Sequence, residues 1–244
     1  MKALLGVRIT PTTYSSVTRS MVELVKVRAR GYVCVANVHM LMEAYDSQSF
    51  KDVVNLANLV VPDGMPLVWM MRLKGLHDQE RVYGPTLMLK LLETASRENI
   101  PVGFYGGAPE VLVKLVEKMQ LRFPSLKIAY SFSPPFGEMG ADEDAKIVES
   151  INGSGAAILF VGLGCPKQEI WMADHHEKIN AVMIGVGAAF DFHAGAKPQA
   201  PVWIQRIGLE WLFRLVTEPR RLWKRYLYHN PRFIFLAIAD LMGF

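Results

Sequence analysis

The stretch AAILFVGLGCPKQE, residues 156–169, decides the fold: six small or apolar residues run into Gly162-Leu163-Gly164-Cys165-Pro166, and a polar stretch of helical period starts at Lys167. A run apolar on both faces is a strand buried inside a sheet, and glycines that turn it into a helix make a strand–helix unit. The same unit recurs outward in both directions. LLGVRI (4–9), YVCVANV (32–38), ANLVV (57–61), PVGFY (101–105), KIAYSF (127–132) and AVMIGV (181–186) are further strands. Between them the spacing predicts helices near 16–29, 39–56, 64–74, 85–98, 109–122, 142–152 and 167–178. Such alternation predicts an α/β fold, a Rossmann-like, mostly parallel sheet sandwiched by helices.

Ligands of such sheets bind beyond the carboxyl ends of the strands. Those ends carry Asn37, Pro62-Asp63-Gly64, Gly106-Gly107, Pro134-Pro135 followed by Phe136, the 162–166 loop and Gly185-Val186-Gly187. Glycines there let backbone approach a ligand, and helix N-termini suit phosphate. Tight loops also need glycine for their own geometry. In the 162–169 loop, backbone N–H groups and Lys167 suit a pyrophosphate, with Gln168 or Glu169 placed for a base or ribose. As a dinucleotide fingerprint the loop fails: Lys167 occupies the third glycine position, and no acidic residue follows at the ribose spacing. That weighs against a nicotinamide-dependent oxidoreductase. Asp191, between Phe190 and Phe192, is placed to grip a ribose or to cap local backbone.

The pattern changes after Gly195. No strand follows, and three helical segments do. PVWIQRIGLEWLFRLV (201–216) reads as one helix with Arg206, Glu210 and Arg214 on a stripe. Pro219 opens another, whose Arg220, Arg221, Lys224 and Arg225 fall within about 140° of arc opposite Leu222, Trp223, Tyr226 and Leu227. Of 27 Lys and Arg and 23 Asp and Glu, residues 197–244 hold 8 and 3, so the whole positive excess sits there. A basic, aromatic helix suits an anionic membrane surface, and it suits equally a packed helix with a solvated basic face. Its aromatic half is a packing or membrane face rather than a base-stacking platform, so no nucleic-acid partner is expected. The longest apolar stretch, residues 233–244, is too short to span a bilayer, which needs about 20 residues. Cys34 and Cys165 sit in apolar runs and are expected as reduced buried thiols of a cytoplasmic protein.

Asp63 stands after a strand, among Val61, Met65 and Trp69, where a shielded carboxylate is placed to accept a proton; Pro-Asp-Gly is also an ordinary turn. Asp142-Glu143-Asp144 resembles a metal-binding D-x-D run, yet it opens a helix whose dipole it complements without a metal. The six histidines show no ligand spacing, so no metal site is expected. Hydrolase elbows and P-loops are absent.

Together the runs CVANVHMLMEAYDSQSF (34–50), VVPDGMPLVWMMRLKG (60–75), RVYGPTLM (81–88), FYGG (104–107), LFVGLGCPKQEIWM (159–172), GVGAAFDFHAG (185–195) and APVWIQRIGLEWLFRLVTEPRRLWKRYL (200–227) resemble the WecG/TagA/CpsF family of bacterial glycosyltransferases, across nearly the whole chain in order. The resemblance implies a Rossmann-like core, 1–195, and a C-terminal appendage, 196–244, that meets the membrane. It implies metal- and cofactor-independent transfer, with inversion, from a UDP-sugar to an undecaprenyl-diphosphate-linked monosaccharide, at the inner face of the plasma membrane. Asp63 then matches the catalytic base and Asn37 an asparagine near the sugar. Gly106, Gly107, Phe136, Gly162, Gly164, Lys167, Gln168, Glu169 and Asp191 are the expected donor contacts. Arg214, Arg221 and Arg225 are expected at the acceptor pyrophosphate. Val35 stands where some members have threonine, and His39 is a candidate replacement contact. A noncatalytic membrane-surface adaptor is the other competing class, and self-association into a homo-oligomer stays open.

Overall fold

A computed structural model describes residues 2–135, 137 and 139–242, with Lys2 by its backbone only. Phe136, one of the expected donor contacts, lies outside the described residues. In chain order the elements are β1 (Lys2–Leu4), β2 (Val7–Ile9), α1 (Tyr14–Lys26), β3 (Gly31–Ala36), α2 (Val38–Asp46), α3 (Gln48–Leu56), β4 (Leu59–Pro62), α4 (Met65–Leu73), α5 (Gly84–Glu98), β5 (Val102–Gly106), α6 (Pro109–Arg122) and β6 (Ile128–Phe132). Then follow α7 (Ala141–Ser154), β7 (Ile158–Gly162), α8 (Lys167–His175), β8 (Val182–Gly185), α9 (Ala189–Ala194), α10 (Val202–Arg206), α11 (Glu210–Thr217) and α12 (Pro219–Met242). The expected α/β architecture is present: a six-stranded parallel sheet of order β4-β3-β8-β7-β5-β6, flanked by helices.

The chain divides into two units. One comprises Tyr14–Cys34 and Gly84–Lys197. In it β3 pairs with β8 from Gly31↔Val182 to Cys34↔Gly185, and β7 lies between β8 and β5. All described side chains of β3, β5 and β8 are buried, as strands covered on both faces must be, whereas the edge strand β6 is half-exposed. Phe104 packs against Phe160 and Phe190 with ring centroids 5.7 and 5.8 Å apart.

The other unit comprises Met1–Thr13, Val35–Tyr83 and Pro198–Phe244, so the C-terminal helices share one body with the chain around Asp63. Here the end of β3 lies beside β4, and a hairpin of β1 and β2 is tied to β4 by Thr10, whose N–H donates to the Val60 carbonyl at 2.9 Å. The long helix α12 is held at two places. Arg232 donates to both Asp46 oxygens of α2, at 2.8 and 2.6 Å, and the Lys74 ammonium pairs with Asp240 at 2.6 Å.

Three segments differ from the sequence reading. LLGVRI is a hairpin rather than a strand, because Leu5 and Gly6 turn through positive φ. The predicted helix over 39–56 is two, since Ser47 ends α2 and its hydroxyl accepts the Phe50 N–H that starts α3. The predicted helix over 201–216 breaks at Gly208, φ +74°, so Arg206 shares no continuous stripe with Glu210 and Arg214. Neither cysteine forms a disulfide among the described residues, and Cys34 is buried whereas Cys165 is only half-buried. No helix among the described residues is long and apolar enough to cross a membrane.

Candidate active site

The chain end of β4 is fixed before any side chain acts. The Asp63 and Gly64 N–H groups both donate to the Ala36 carbonyl, at 2.8 and 3.2 Å, joining the loop after β4 to the end of β3. A Cβ on Gly64 would lie 3.3 Å from the Asn37 backbone, so glycine permits this close approach. The next residues, Met65 and Pro66, start α4 in proline's preferred first turn. Asn37 is the N-cap of α2, its side-chain oxygen accepting the Met40 N–H at 3.3 Å. Both expected catalytic residues thus sit at adjacent strand ends, and one of them also holds a helix start.

Sequence reasoning did not single out the residues that flank Asp63. The Arg81 guanidinium donates through Nε to the Asp63 carbonyl, through Nη2 to Glu210 Oε2 at 2.6 Å, and lies 3.8 Å from Asp63 Oδ1. The Tyr83 hydroxyl donates to Glu210 Oε1 at 3.2 Å, and the Arg81 guanidinium stacks 4.2 Å over the Tyr83 ring. The Asp63, Arg81 and Glu210 side chains are 16, 15 and 14% exposed. Burial alone would weaken proton binding by Arg81, but the Asp63 and Glu210 carboxylates outweigh it and hold the guanidinium charged. Burial, reinforced by Glu210 and Asp63, raises the Tyr83 hydroxyl far above its ordinary value, so it remains a donor. Arg81 is placed by the Val82 N–H, which donates to the Pro62 carbonyl at 2.9 Å. The one sequence signal for this was a charged residue leading into the apolar pair Val82-Tyr83.

A cavity of about 410 Å³ opens beside this cluster within the same unit. Asn37, His39, Asp63, Arg81, Glu210, Arg214 and Arg225 line it with α4 and α12. Three guanidinium groups face two carboxylates there, a surplus suited to an anion. Along α12 the lining changes from Arg225, Tyr226, His229 and Asn230 to Phe233, Ile234, Ala237, Ile238 and Leu241. At 1.5 Å per residue, that face carries polarity at one end and hydrocarbon about 24 Å away. Of the expected acceptor arginines, Arg214 and Arg225 line the cavity; Arg221 does not, and pairs instead with Glu218 at 2.7 Å. Around α10 to α12, Trp203, Ile207, Trp223, Leu227, Ile234 and Phe235 are exposed, so only part of the apolar arc packs.

The expected donor contacts belong to the other unit. Gly106 and Gly162 are glycines because β5 and β7 approach closely: a Cβ on Gly106 would sit 2.8 Å from the Gly162 backbone, and one on Gly162 2.6 Å from the Phe190 ring. Gly107 donates its N–H to the Gly162 carbonyl at 3.1 Å. Gly164 is different, with φ +81° and open space around its missing Cβ. Lys167 is exposed at the start of α8. Gln168 and Glu169, only 4 and 0% exposed, face inward. The Gln168 side-chain oxygen accepts the N–H groups of Gly164 and Gly187, each at 3.1 Å, while its amide donates to Glu169 Oε1 at 2.7 Å. These residues join the two glycine loops of one strand edge. The Asp191 carboxylate pairs with Lys197 at 3.1 Å, and its carbonyl accepts the Ala196 and Lys197 N–H groups. Asp144 of the acidic run accepts from His175 Nε2 at 2.9 Å.

The family profile described as Glycosyl transferase WecG/TagA/CpsF family matches residues 2–244. The N-acetylglucosaminyldiphosphoundecaprenol N-acetyl-beta-D-mannosaminyltransferase of Bacillus spizizenii strain W23 is 31% identical over 197 residues, 80% of this chain and 74% of that protein. The protein of the same description from Bacillus subtilis strain 168 is 30% identical over 196 residues, with the same coverage.

Proposed function

Because the chain belongs to the glycosyl transferase WecG/TagA/CpsF family and is a glycosyltransferase, we propose that it moves a sugar from a UDP-sugar to an undecaprenyl-diphosphate-linked monosaccharide in cell-surface polysaccharide synthesis, with inversion. The relatives' descriptions support an acceptor of that class and name N-acetylmannosamine as the sugar those proteins transfer. The observation that carries the reading for this chain is Asp63 on the wall of a cavity whose lining runs from guanidinium groups to hydrocarbon. An anchored diphosphate sugar has the same order of parts.

In this reading Asp63 takes the proton of the acceptor hydroxyl, which forms the new bond at the anomeric carbon as the bond to UDP breaks on the opposite face. Arg81 holds the carboxylate's own backbone and keeps a positive charge beside it. Arg214 and Arg225 bind the acceptor diphosphate, for which paired guanidinium donors are suited. In this reading the charge of the departing UDP is met by Lys167 and the positive N-terminal end of α8 rather than by a metal. Exposed tryptophans and the basic arc of α12 support a position of the unit at the inner membrane face.

Two measurements test this. UDP-sugars, beginning with the N-acetylmannosamine derivative, are incubated in EDTA with a synthetic polyprenyl-diphosphate monosaccharide, and the disaccharide is identified by mass spectrometry and its anomer by NMR. Asp63→Asn lowers turnover by about 10²–10⁴-fold, the usual contribution of a general base, and leaves UDP affinity nearly intact. Unaltered turnover removes Asp63 from the mechanism.

A further inference from the structure

His39 and Glu43 lie one helical turn apart on α2, and His229 of α12 comes to the same place. Glu43 Oε1 is 3.5 Å from His39 Nδ1 and 3.5 Å from His229 Nε2, and one ligand atom from each residue lies within 4.8 Å of the others. Separations of 3.5 Å are long for charge-assisted hydrogen bonds. They match ligands of a shared ion: bonds of 2.0–2.1 Å at the tetrahedral angle put neighbouring ligand atoms about 3.3 Å apart. His229 is 8% exposed, and its second nitrogen, Nδ1, is buried with no hydrogen-bond partner among the described residues.

We infer that His39, Glu43 and His229 bind one divalent transition-metal ion of zinc's class, which clamps α12 to α2. Two imidazoles and one carboxylate are the donor set that zinc takes in sites with three protein ligands, where water fills the fourth position. Magnesium and calcium, which prefer all-oxygen shells, do not suit it. His39 and His229 both line the cavity, which gives the ion a path in. The nearby Asp46–Arg232 pair joins the same two helices, so the ion adds a second fastening beside it. The site takes no part in the transfer step proposed above, and its test does not depend on that step.

The test uses the full chain, stripped with a chelator and dialysed. It is titrated with Co²⁺, whose visible d–d absorption reports ligand geometry, and with Zn²⁺ by calorimetry. The expected result is one ion per chain and a Co²⁺ spectrum of four- or five-coordinate type that Zn²⁺ bleaches. His229→Gln and Glu43→Gln each weaken binding by about a hundredfold or more, since outer-sphere partners alone contribute about 10–100-fold. His77→Asn, at an exposed histidine elsewhere, leaves it unchanged. Zinc at a hundred times Kd raises the melting midpoint of the wild type by about 5–10 °C and leaves both Gln variants unmoved. Far-UV circular dichroism establishes that each variant is folded, and Glu43, being part-exposed, is the position whose substitution the fold tolerates. No saturable binding to the wild type, or equal affinity in folded Glu43→Gln, overturns the inference.

Discussion

Replacing Glu210 by Gln removes one charge from the cluster beside Asp63 and changes little else in shape. Glu210 accepts from Arg81 at 2.6 Å and from Tyr83 at 3.2 Å, and both ionic side chains are about 85% shielded from water. Removing a partner outright from a buried pair costs about 3–5 kcal/mol. The Gln oxygen still accepts from Arg81, so the loss falls to about 1–3 kcal/mol, the difference between a charge-assisted and a neutral hydrogen bond plus a weakened Tyr83 contact. Glu210 is the first residue of α11, which also carries Arg214, so this energy helps to hold that helix to the chain around Asp63. A loss of 1.4–2.7 kcal/mol in positioning corresponds to about 10–100-fold in kcat/KM for the lipid acceptor. The assay is transfer to a polyprenyl-diphosphate sugar, with hydrogen exchange over 210–217 and UDP binding by calorimetry. Acceptor kcat/KM should drop, exchange should quicken, and UDP affinity should hold. Activity within twofold of wild type together with unchanged exchange would refute the role assigned to the Arg81–Glu210 contact.

Gly208→Ala forces a side chain into φ +74° and puts its Cβ 2.6 Å from the Trp69 ring; backbone strain and overpacking together cost about 2–4 kcal/mol, read as a lower urea midpoint. Gln168→Ala leaves the Gly164 and Gly187 N–H groups without their shared acceptor, and UDP affinity measured by calorimetry is expected to fall about 10-fold or more while the Asp63 unit keeps its hydrogen-exchange protection. Burial holds the His193 imidazole below its ordinary 6.5, opposed by the hydrogen bond to the Pro85 carbonyl. The unfolded chain therefore binds a proton that the native chain does not, and this stability is present above about pH 6.5 and lost as pH falls below it. His193→Gln, which retains a donor for that carbonyl, should flatten the decline in the urea midpoint between about pH 7 and 5.5; parallel curves would exclude His193 as its source.

The strands were legible because burial on both faces leaves an unbroken apolar run, and the position of Asp63 just past a strand was legible because Pro-Asp-Gly ends such a run. Ser47 and Gly208 carried signals for the helix breaks, a cap residue and a glycine inside a helical period, but the apolar pattern on either side overrode them. Arg81 and Glu210 are 129 positions apart, and their pairing is a product of tertiary folding that no local spacing encodes. The same holds for His229 beside His39. Gln168 and Glu169 show the reverse case: polar residues at a helix start read as ligand contacts, whereas the two glycine loops leave N–H groups that need an internal acceptor. Arg221 shared the helical arc of Arg225, but the cavity lies on only part of that arc.

The wall of the Asp63 cavity is assembled from residues 37–81 and from residues 207–241, which the ribosome makes long afterwards. While the intervening strands emerge, the carboxylate and its arginine are already synthesised but face water rather than hydrocarbon. The cavity is therefore completed late, as α11 and α12 arrive, and a chain that stops before residue 207 carries the carboxylate and its arginine without the wall that shelters them.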